Sequence, residues 1–197
     1  MFRSDLNRYN IDLRVIAGSV GGIRLSTLPG RATRPMLDKT KEAVFSALGD
    51  RHIRNVNVWD MYGGSGALGI ESLSRGATYG LFTEMSPKAI AIIKENLAKT
   101  KLVDRSKVIR TDVNKFLKNK YTDDKKFSLV FCDPPFVITS PNIEEIFESD
   151  LVNDDCVVVY QREDNSKTRE FEFESDVFEC FWERKYASSI IYFLTKK

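Results

Sequence analysis

Short apolar runs rich in β-branched and aromatic residues alternate along the chain with stretches whose apolar positions recur at helical spacing. The runs Val56 to Asp60, Tyr79 to Thr83, Lys107 to Arg110, Phe127 to Cys132 and Cys156 to Gln161 predict core strands. Helices are predicted between them. One runs from the glycines after Asp60 to about Arg75 and ends at Gly76. One opens on Ser86-Pro87 and places Ala89, Ile93 and Leu97 on one face. One carries Val113, Phe116 and Leu117, and one starts at Ser140-Pro141 with Ile143, Ile146 and Phe147 inward. Strands alternating with helices imply a mostly parallel sheet covered on both faces. Phe178 to Tyr186 and Ser189 to Leu194 read as a closing antiparallel hairpin.

Upstream, residues 1–13 are polar and irregular, and Arg14 to Gly18 predicts a short strand. Asp38 is the expected N-cap of a helix through Leu48, with Val44, Ala47 and Leu48 on one face. The expected boundary lies near residues 50–55, separating an extension, 1–54, from a body, 55–197. Charge supports the same division. Residues 1–54 hold 10 Lys/Arg against 5 Asp/Glu, and the remainder holds 20 against 23, so +5 and −3 make the net +2. A basic first quarter suits a nucleic-acid-binding arm, and equally a solvated charged surface. Its Gly18, Gly21, Gly22 and Gly30 punctuate a stretch bearing Arg24, Arg31 and Arg34, which suits loops approaching a phosphate chain as well as ordinary turns.

Composition narrows the chemistry. At 197 residues with 42% apolar and 29% charged content, a folded domain is expected rather than disorder. No apolar run has the length of a membrane span, and the start lacks a signal peptide's apolar core, so a cytoplasmic protein is expected. Cys132, Cys156 and Cys180 are too scattered for a disulfide framework or zinc site and read as buried thiols. The single histidine, His52, reads as a surface or turn residue and leaves no Ser-His-Asp triad. No metal is expected.

Two stretches carry candidate chemistry. Gly64, Gly66 and Gly69 form G-x-G-x-x-G between a strand and a helix, and Glu84 lies 20 residues beyond Gly64 at the end of the next strand. That spacing suits an acid on ribose hydroxyls. Asp112 ends the third strand, where it would cap the following helix, face an adenine amine, or do both. Asp133-Pro134-Pro135-Phe136 follows the fourth strand, where open sheets bind ligands. The prolines lack N–H donors and an ionised Asp133 only accepts. With a flat Phe136 ring, the tetrapeptide suits a planar base bearing an exocyclic amine, although a Pro-rich turn capped by Asp133 explains it as well.

These residues together resemble a family. Asp60 through Glu71, followed by Ser72-Leu73-Ser74-Arg75-Gly76-Ala77, is similar to the cofactor motif of S-adenosylmethionine-dependent methyltransferases. The resemblance is closest to the bacterial 16S ribosomal RNA guanine-N2 methyltransferases of the RsmD family. Arg14 to Gly18, Thr33-Arg34-Pro35 through Glu42, Arg184-Lys185-Tyr186 and the tetrapeptide also match it. Departures are Gly63 for the usual Ala or Cys, Met36 for Thr, Ala187 for Gly, and a Gly22-Ile23-Arg24 loop with fewer arginines.

The resemblance implies a Rossmann-like α/β methyltransferase fold: a mostly parallel seven-stranded sheet, a C-terminal antiparallel hairpin and a small N-terminal extension. It implies methyl transfer from S-adenosyl-L-methionine to N2 of a guanine in 16S rRNA, in the small-subunit head or its assembly intermediate, by a monomer without metal. The catalytic residues would be Asp133, Pro134, Pro135 and Phe136. The cofactor residues would be Asp60, Tyr62, Gly64, Ser65, Gly66, Gly69, Glu84 and Asp112. Arg24, Arg31, Arg34, Lys39 and Lys41 would contact RNA. Competing readings are a DNA adenine-N6 or cytosine-N4 methyltransferase, an NAD-dependent oxidoreductase built on the glycines and Glu84, and a non-catalytic RNA-binding assembly factor.

Overall fold

The computed structural model describes residues 13–28, 36, 38–119, 124–135, 143–164, 175–186 and 189–197. Its strands are β1 (Asn57–Asp60), β2 (Tyr79–Glu84), β3 (Ser106–Arg110), β4 (Phe127–Cys132), β5 (Val152–Glu163), β6 (Phe178–Tyr186) and β7 (Ser189–Lys196). Its helices are α1 (Asp38–Leu48), α2 (Ala67–Ser74), α3 (Pro87–Thr100), α4 (Val113–Lys118) and α5 (Ile143–Glu148). The strands form one seven-stranded sheet in the order β3-β2-β1-β4-β5-β7-β6. β1 to β5 run parallel, and the β6–β7 hairpin joins them through β7, which is antiparallel to β5. The order reverses between β1 and β4, which opens a crevice at their carboxyl ends.

Period-two alternation divides the core between the two faces of the sheet. Val58, Leu129, Phe131, Val157, Val159, Ile191 and Phe193 pack with α1, α2 and α3. Trp59, Leu81, Val130, Cys132, Val158, Tyr160 and Leu194 pack with α4 and α5. The first cluster also takes in Leu13, Val15, Leu25 and Met36. The described N-terminal residues therefore share the core of the body instead of building their own.

All residues of α2 are buried, because the sheet covers one side and the N-terminal segment the other. Ile16 and Ala17 donate their backbone N–H groups to the Glu71 carboxylate at 2.7 and 3.0 Å. Ser74 Oγ accepts from Val20 N at 3.1 Å and donates to Ala17 O at 2.6 Å. Gly18 sits at φ +88° against this helix, where an added Cβ would stand 2.0 Å from Ser74 O.

Several details differ from the sequence-based expectations. β5 begins at Val152, ahead of Cys156. Asp38 is itself helical, and its Oδ2 accepts from Arg14 Nε at 3.2 Å. The buried face of α1 is Lys41, Val44, Phe45 and Leu48, while Ala47 is exposed. Lys41 takes an interior position because Glu71 awaits it there. Cys180 is exposed on β6, unlike Cys132 and Cys156. Ser140 and Pro141 lie outside the described residues. Among the described residues, no helix is long and apolar enough to cross a membrane.

Candidate active site

A cavity of about 520 Å³ opens at the carboxyl ends of β1 to β4. That volume falls in the usual range for small-molecule sites. Asp60 to Ser65 line it from β1 and its turn, Glu84 to Pro87 from β2, Thr111 to Val113 from β3, and Asp133 to Pro135 from β4. Thr27, Leu28 and Met36 close it from the N-terminal side.

Backbone hydrogen bonds shape the floor. The turn after β1 is held when Gly63 N donates to Thr83 O at 3.0 Å. Thr83 Oγ1 accepts from Trp59 Nε1 at 3.0 Å and donates to Met61 O at 2.7 Å. Glu84 accepts from Gly64 N at 3.0 Å, and from Met85 N and Ser86 N at 2.8 Å each. Asp60 accepts from Gly69 N at 3.1 Å, a donor of the first turn of α2 that has no partner within the helix. Asp112 caps α4, accepting from Lys115 N at 3.0 Å, and also lines the cavity. One residue thus both caps a helix and lines the cavity.

The electrostatics are one-sided. Asp60, Glu84, Asp112 and Asp133 face the cavity, and no lysine or arginine is among its described lining. Burial pushes Asp60 up to about 8, against the opposing Gly69 hydrogen bond and with the help of the Asp133 and Glu84 charges. Burial likewise pushes Asp133 up to about 7. The Tyr62 phenol is raised by burial too. Such a hole favours a ligand that brings positive charge or N–H donors. The carboxylates, with the apolar Leu28, Met85 and Val113 beside them, fit a sulfonium nucleoside such as S-adenosylmethionine. Among the described residues no cluster of His, Cys, Asp and Glu could hold a metal ion.

The structure brings Asp60, Tyr62, Gly64, Ser65, Glu84, Asp112, Asp133, Pro134 and Pro135 together on this cavity. Gly66 and Gly69 are not among its described lining. A Cβ on Gly69 would lie 2.3 Å from Phe82 Cε1, so this glycine lets α2 close on β2. Gly66 adopts φ +78° to start the helix. Arg24 and Lys39 are exposed. Lys41 is corrected as an RNA contact: it is 0% exposed, its ammonium donates to Arg14 O at 2.5 Å and lies 3.4 Å from Glu71. Arg31, Arg34 and Phe136 lie outside the described residues.

Sequence reasoning missed Asn96. This buried α3 residue accepts from Ser26 N at 2.7 Å and donates to Ser26 O at 2.9 Å and Ser65 O at 2.8 Å. It ties the N-terminal segment to the glycine turn. Its signal was a polar residue inside the stripe Ala89, Ile93, Leu97. Gly63 also has a visible reason. The δ-methyl of Ile93 lies 2.8 Å from where its Cβ would be, so a larger residue requires that methyl to move.

Comparison with known proteins places these features in context. Residues 13–195 match the family model described as Conserved hypothetical protein 95. YlbH of Bacillus subtilis, which carries the name of an rRNA methyltransferase, is 37% identical over 124 residues, 63% of this chain and 67% of that one. Ribosomal RNA small subunit methyltransferase D of Escherichia coli K12 is 33% identical over 124 residues, 63% of this chain and 60% of its own length. Thus the match spans about two thirds or less of these relatives. The solved structure of a hypothetical protein from Thermus thermophilus, TTHA0928, superposes with a TM-score of 0.75 at 25% identity, covering 94% of this chain and 99% of that one.

Proposed function

Because the chain belongs to the Conserved hypothetical protein 95 family, the RsmD-type methyltransferases, we propose that it methylates the exocyclic N2 of a guanine in small-subunit ribosomal RNA. The observation that carries this reading is the Asp133-Pro134-Pro135 turn on the rim of an acidic cavity whose described lining holds no cation. S-adenosylmethionine, when bound, supplies a methyl group already activated on a positive sulfur. The protein's part is then placement and charge.

A guanine amine is a weak nucleophile, because its lone pair is shared with the ring. The Asp133 carboxylate and the Pro134 carbonyl accept its two hydrogens. That arrangement aims the lone pair into the cavity and offsets the positive charge that develops on nitrogen. Proline at 134 and 135 keeps competing N–H donors away from the amine. Phe136, taken from the sequence alone, stacks on the extruded base, a contact of about 1–3 kcal/mol that balances much of the unstacking. The nitrogen's surplus proton becomes acidic as the methyl arrives, and an ionised Asp133 can take it. Glu84 orients the ribose hydroxyls and Asp112 the adenine amine. Exposed Arg24 and Lys39, with Arg31 and Arg34 taken from the sequence, meet RNA phosphates. The protein acts as a cytoplasmic monomer in this reading, on the head of the subunit or an assembly intermediate.

The test has two arms. Small-subunit RNA from cells lacking the protein should miss one N2-methylguanine by mass spectrometry, and the purified protein should restore it. Asp133→Ala should lower that transfer by about 10²–10³-fold with cofactor affinity nearly unchanged. Methylation of guanine N2 by the variant at the wild-type rate would falsify this assignment. Methylation of duplex DNA in preference to the RNA would support the DNA alternative.

A further inference from the structure

A second cavity, also of about 520 Å³, lies at the other end of α2. The helix presents Ala67 and Leu68 to the first cavity and Leu73 and Ser74 to the second, so its ends stand about 10 Å apart at about 1.5 Å per residue. The N-terminal segment runs between the same two places. Gly18 and Ser19 border the second cavity, and Thr27 and Leu28 border the first. Neither the turn at Gly18 nor Arg75, the C-cap of α2, has a part in the mechanism above.

Three arginines meet at this second cavity. Arg54, Arg75 and Arg105 line it, and Asp50 is the one acid among its described lining. Arg54 Nε donates to Asp50 at 2.8 Å, and Arg75 Nε to Glu71 at 2.7 Å. Glu71 is shared with Lys41, which lies 3.4 Å from it. Arg105 donates to Ala77 O at 3.1 Å and Leu73 O at 3.4 Å, so among the described residues its charge meets carbonyls and no carboxylate. These bonds steady each guanidinium and leave most of its five N–H donors for a ligand. Positive charge continues outward from Arg105. Residues 99–110 hold five Lys/Arg against one Asp, a local +4 in a body whose net charge is −3. Lys107 and Arg110 are exposed there on β3, an edge strand of the sheet.

We infer that this cavity binds a backbone phosphate of the substrate RNA, at a contact separate from the target-base site. The inference rests on the ribosomal-RNA reading and adds a place where the RNA backbone is held. A guanidinium presents planar pairs of N–H donors that match phosphate oxygens, and one already held by its neighbours loses little freedom when it binds. The acidic cavity repels a phosphate chain. The arginine cavity, one helix length away, supplies the attraction that the acidic one lacks. RNA anchored there crosses the N-terminal segment, where exposed Gly21 and Gly22 put no side chain in its path. The target base then reaches the acidic cavity without its own phosphates having to enter.

The test measures binding of the full chain to small-subunit ribosomal RNA from cells lacking the protein, over a range of salt concentrations. Arg54→Gln and Arg105→Gln should each weaken binding about tenfold and lower the slope of log Kd against log salt by about 0.7–0.9, the loss of one phosphate contact. Asp50→Asn removes the opposing charge and should tighten binding about threefold. In all three variants KM for RNA should move while kcat and S-adenosylmethionine affinity stay near wild type. Arg105→Gln also uncaps α2, but Arg54 and Asp50 form a pair with side chains 63% and 72% exposed, so their variants test charge without that loss. A merely structural role for the cluster would not let Asp50→Asn tighten binding. Unchanged RNA affinity and salt slope in Arg54→Gln and Arg105→Gln overturns the inference. If inorganic phosphate still binds the wild type in calorimetry in that case, the cavity takes free anions and not RNA. A wild type that neither binds nor methylates this RNA overturns the proposed function itself, and that control is read first.

Discussion

Two groups of buried and half-buried charges lie on either side of α2, and they are built on opposite rules. Behind the helix, Glu71 is 0% exposed and meets Lys41 at 3.4 Å and Arg75 at 2.7 Å. Burial lowers the Lys41 pKa while Glu71 and Asp38 oppose that shift. Charge is matched, and two backbone N–H groups from the N-terminal segment complete the carboxylate. In front of the helix, Asp60, Glu84, Asp112 and Asp133 converge with only backbone donors and no cation among the described lining. Burial raises Asp60 and Asp133 there. The first arrangement is complete without a ligand and ties the chain together. In the proposed function the second is completed by a cationic, amine-bearing ligand. Buried charge therefore marks a site only when its compensation is missing.

The largest expected effect tests the matched side. Glu71→Ala leaves Lys41 buried without its main partner and should destabilise the fold by about 3–5 kcal/mol in urea titration. Replacing the pair together, as Lys41→Met with Glu71→Leu, should recover much of that loss. A single-variant loss below about 1 kcal/mol would remove the contrast, since that is the scale of surface pairs.

Glu84→Ala comes next and tests the unmatched side. Loss of a charged hydrogen-bonding partner should weaken S-adenosylmethionine binding roughly 10–100-fold in calorimetry, with RNA affinity little changed. If RNA binding alone suffers, the cavity is wrongly assigned.

The smallest effect concerns pH. Asp133 holds its proton up to about 7 in the folded protein, whereas an unfolded aspartate loses it near 3.9. Between those values the native state binds more protons than the unfolded one, so this group's contribution to stability falls as pH rises and levels off above about 7. Asp133→Asn removes the term. Its stability relative to the ligand-free wild type should climb through that window by at least about 1.4 kcal/mol, one pKa unit's worth. A difference that stays flat with pH would show that Asp133 is not held protonated by burial.

Reading the sequence went furthest where the physics is local. Apolar runs, turn glycines, Ser86-Pro87 and the acids ending each strand follow from propensity and spacing within a few residues. They were enough to anticipate the sheet, its closing hairpin and most of the cavity wall. Errors arose where a distant residue decided. Ala47 looked like a core position of α1, but Phe45 and Lys41 face inward, because Glu71 lies there to receive the lysine. Gly69 was read from its spacing alone, whereas the fold gives it a packing reason, since the Phe82 ring occupies the space a side chain would need.

By itself, then, the sequence determined the strand–helix alternation, the glycine turn after β1, and an acceptor-only turn after β4. Tertiary structure alone decided which glycines line the cavity, that Lys41 is interior, and that Asn96 joins the N-terminal segment to the glycine turn. The reason is physical. Backbone propensity acts between near neighbours, whereas burial and charge compensation depend on residues that only the closed sheet brings together.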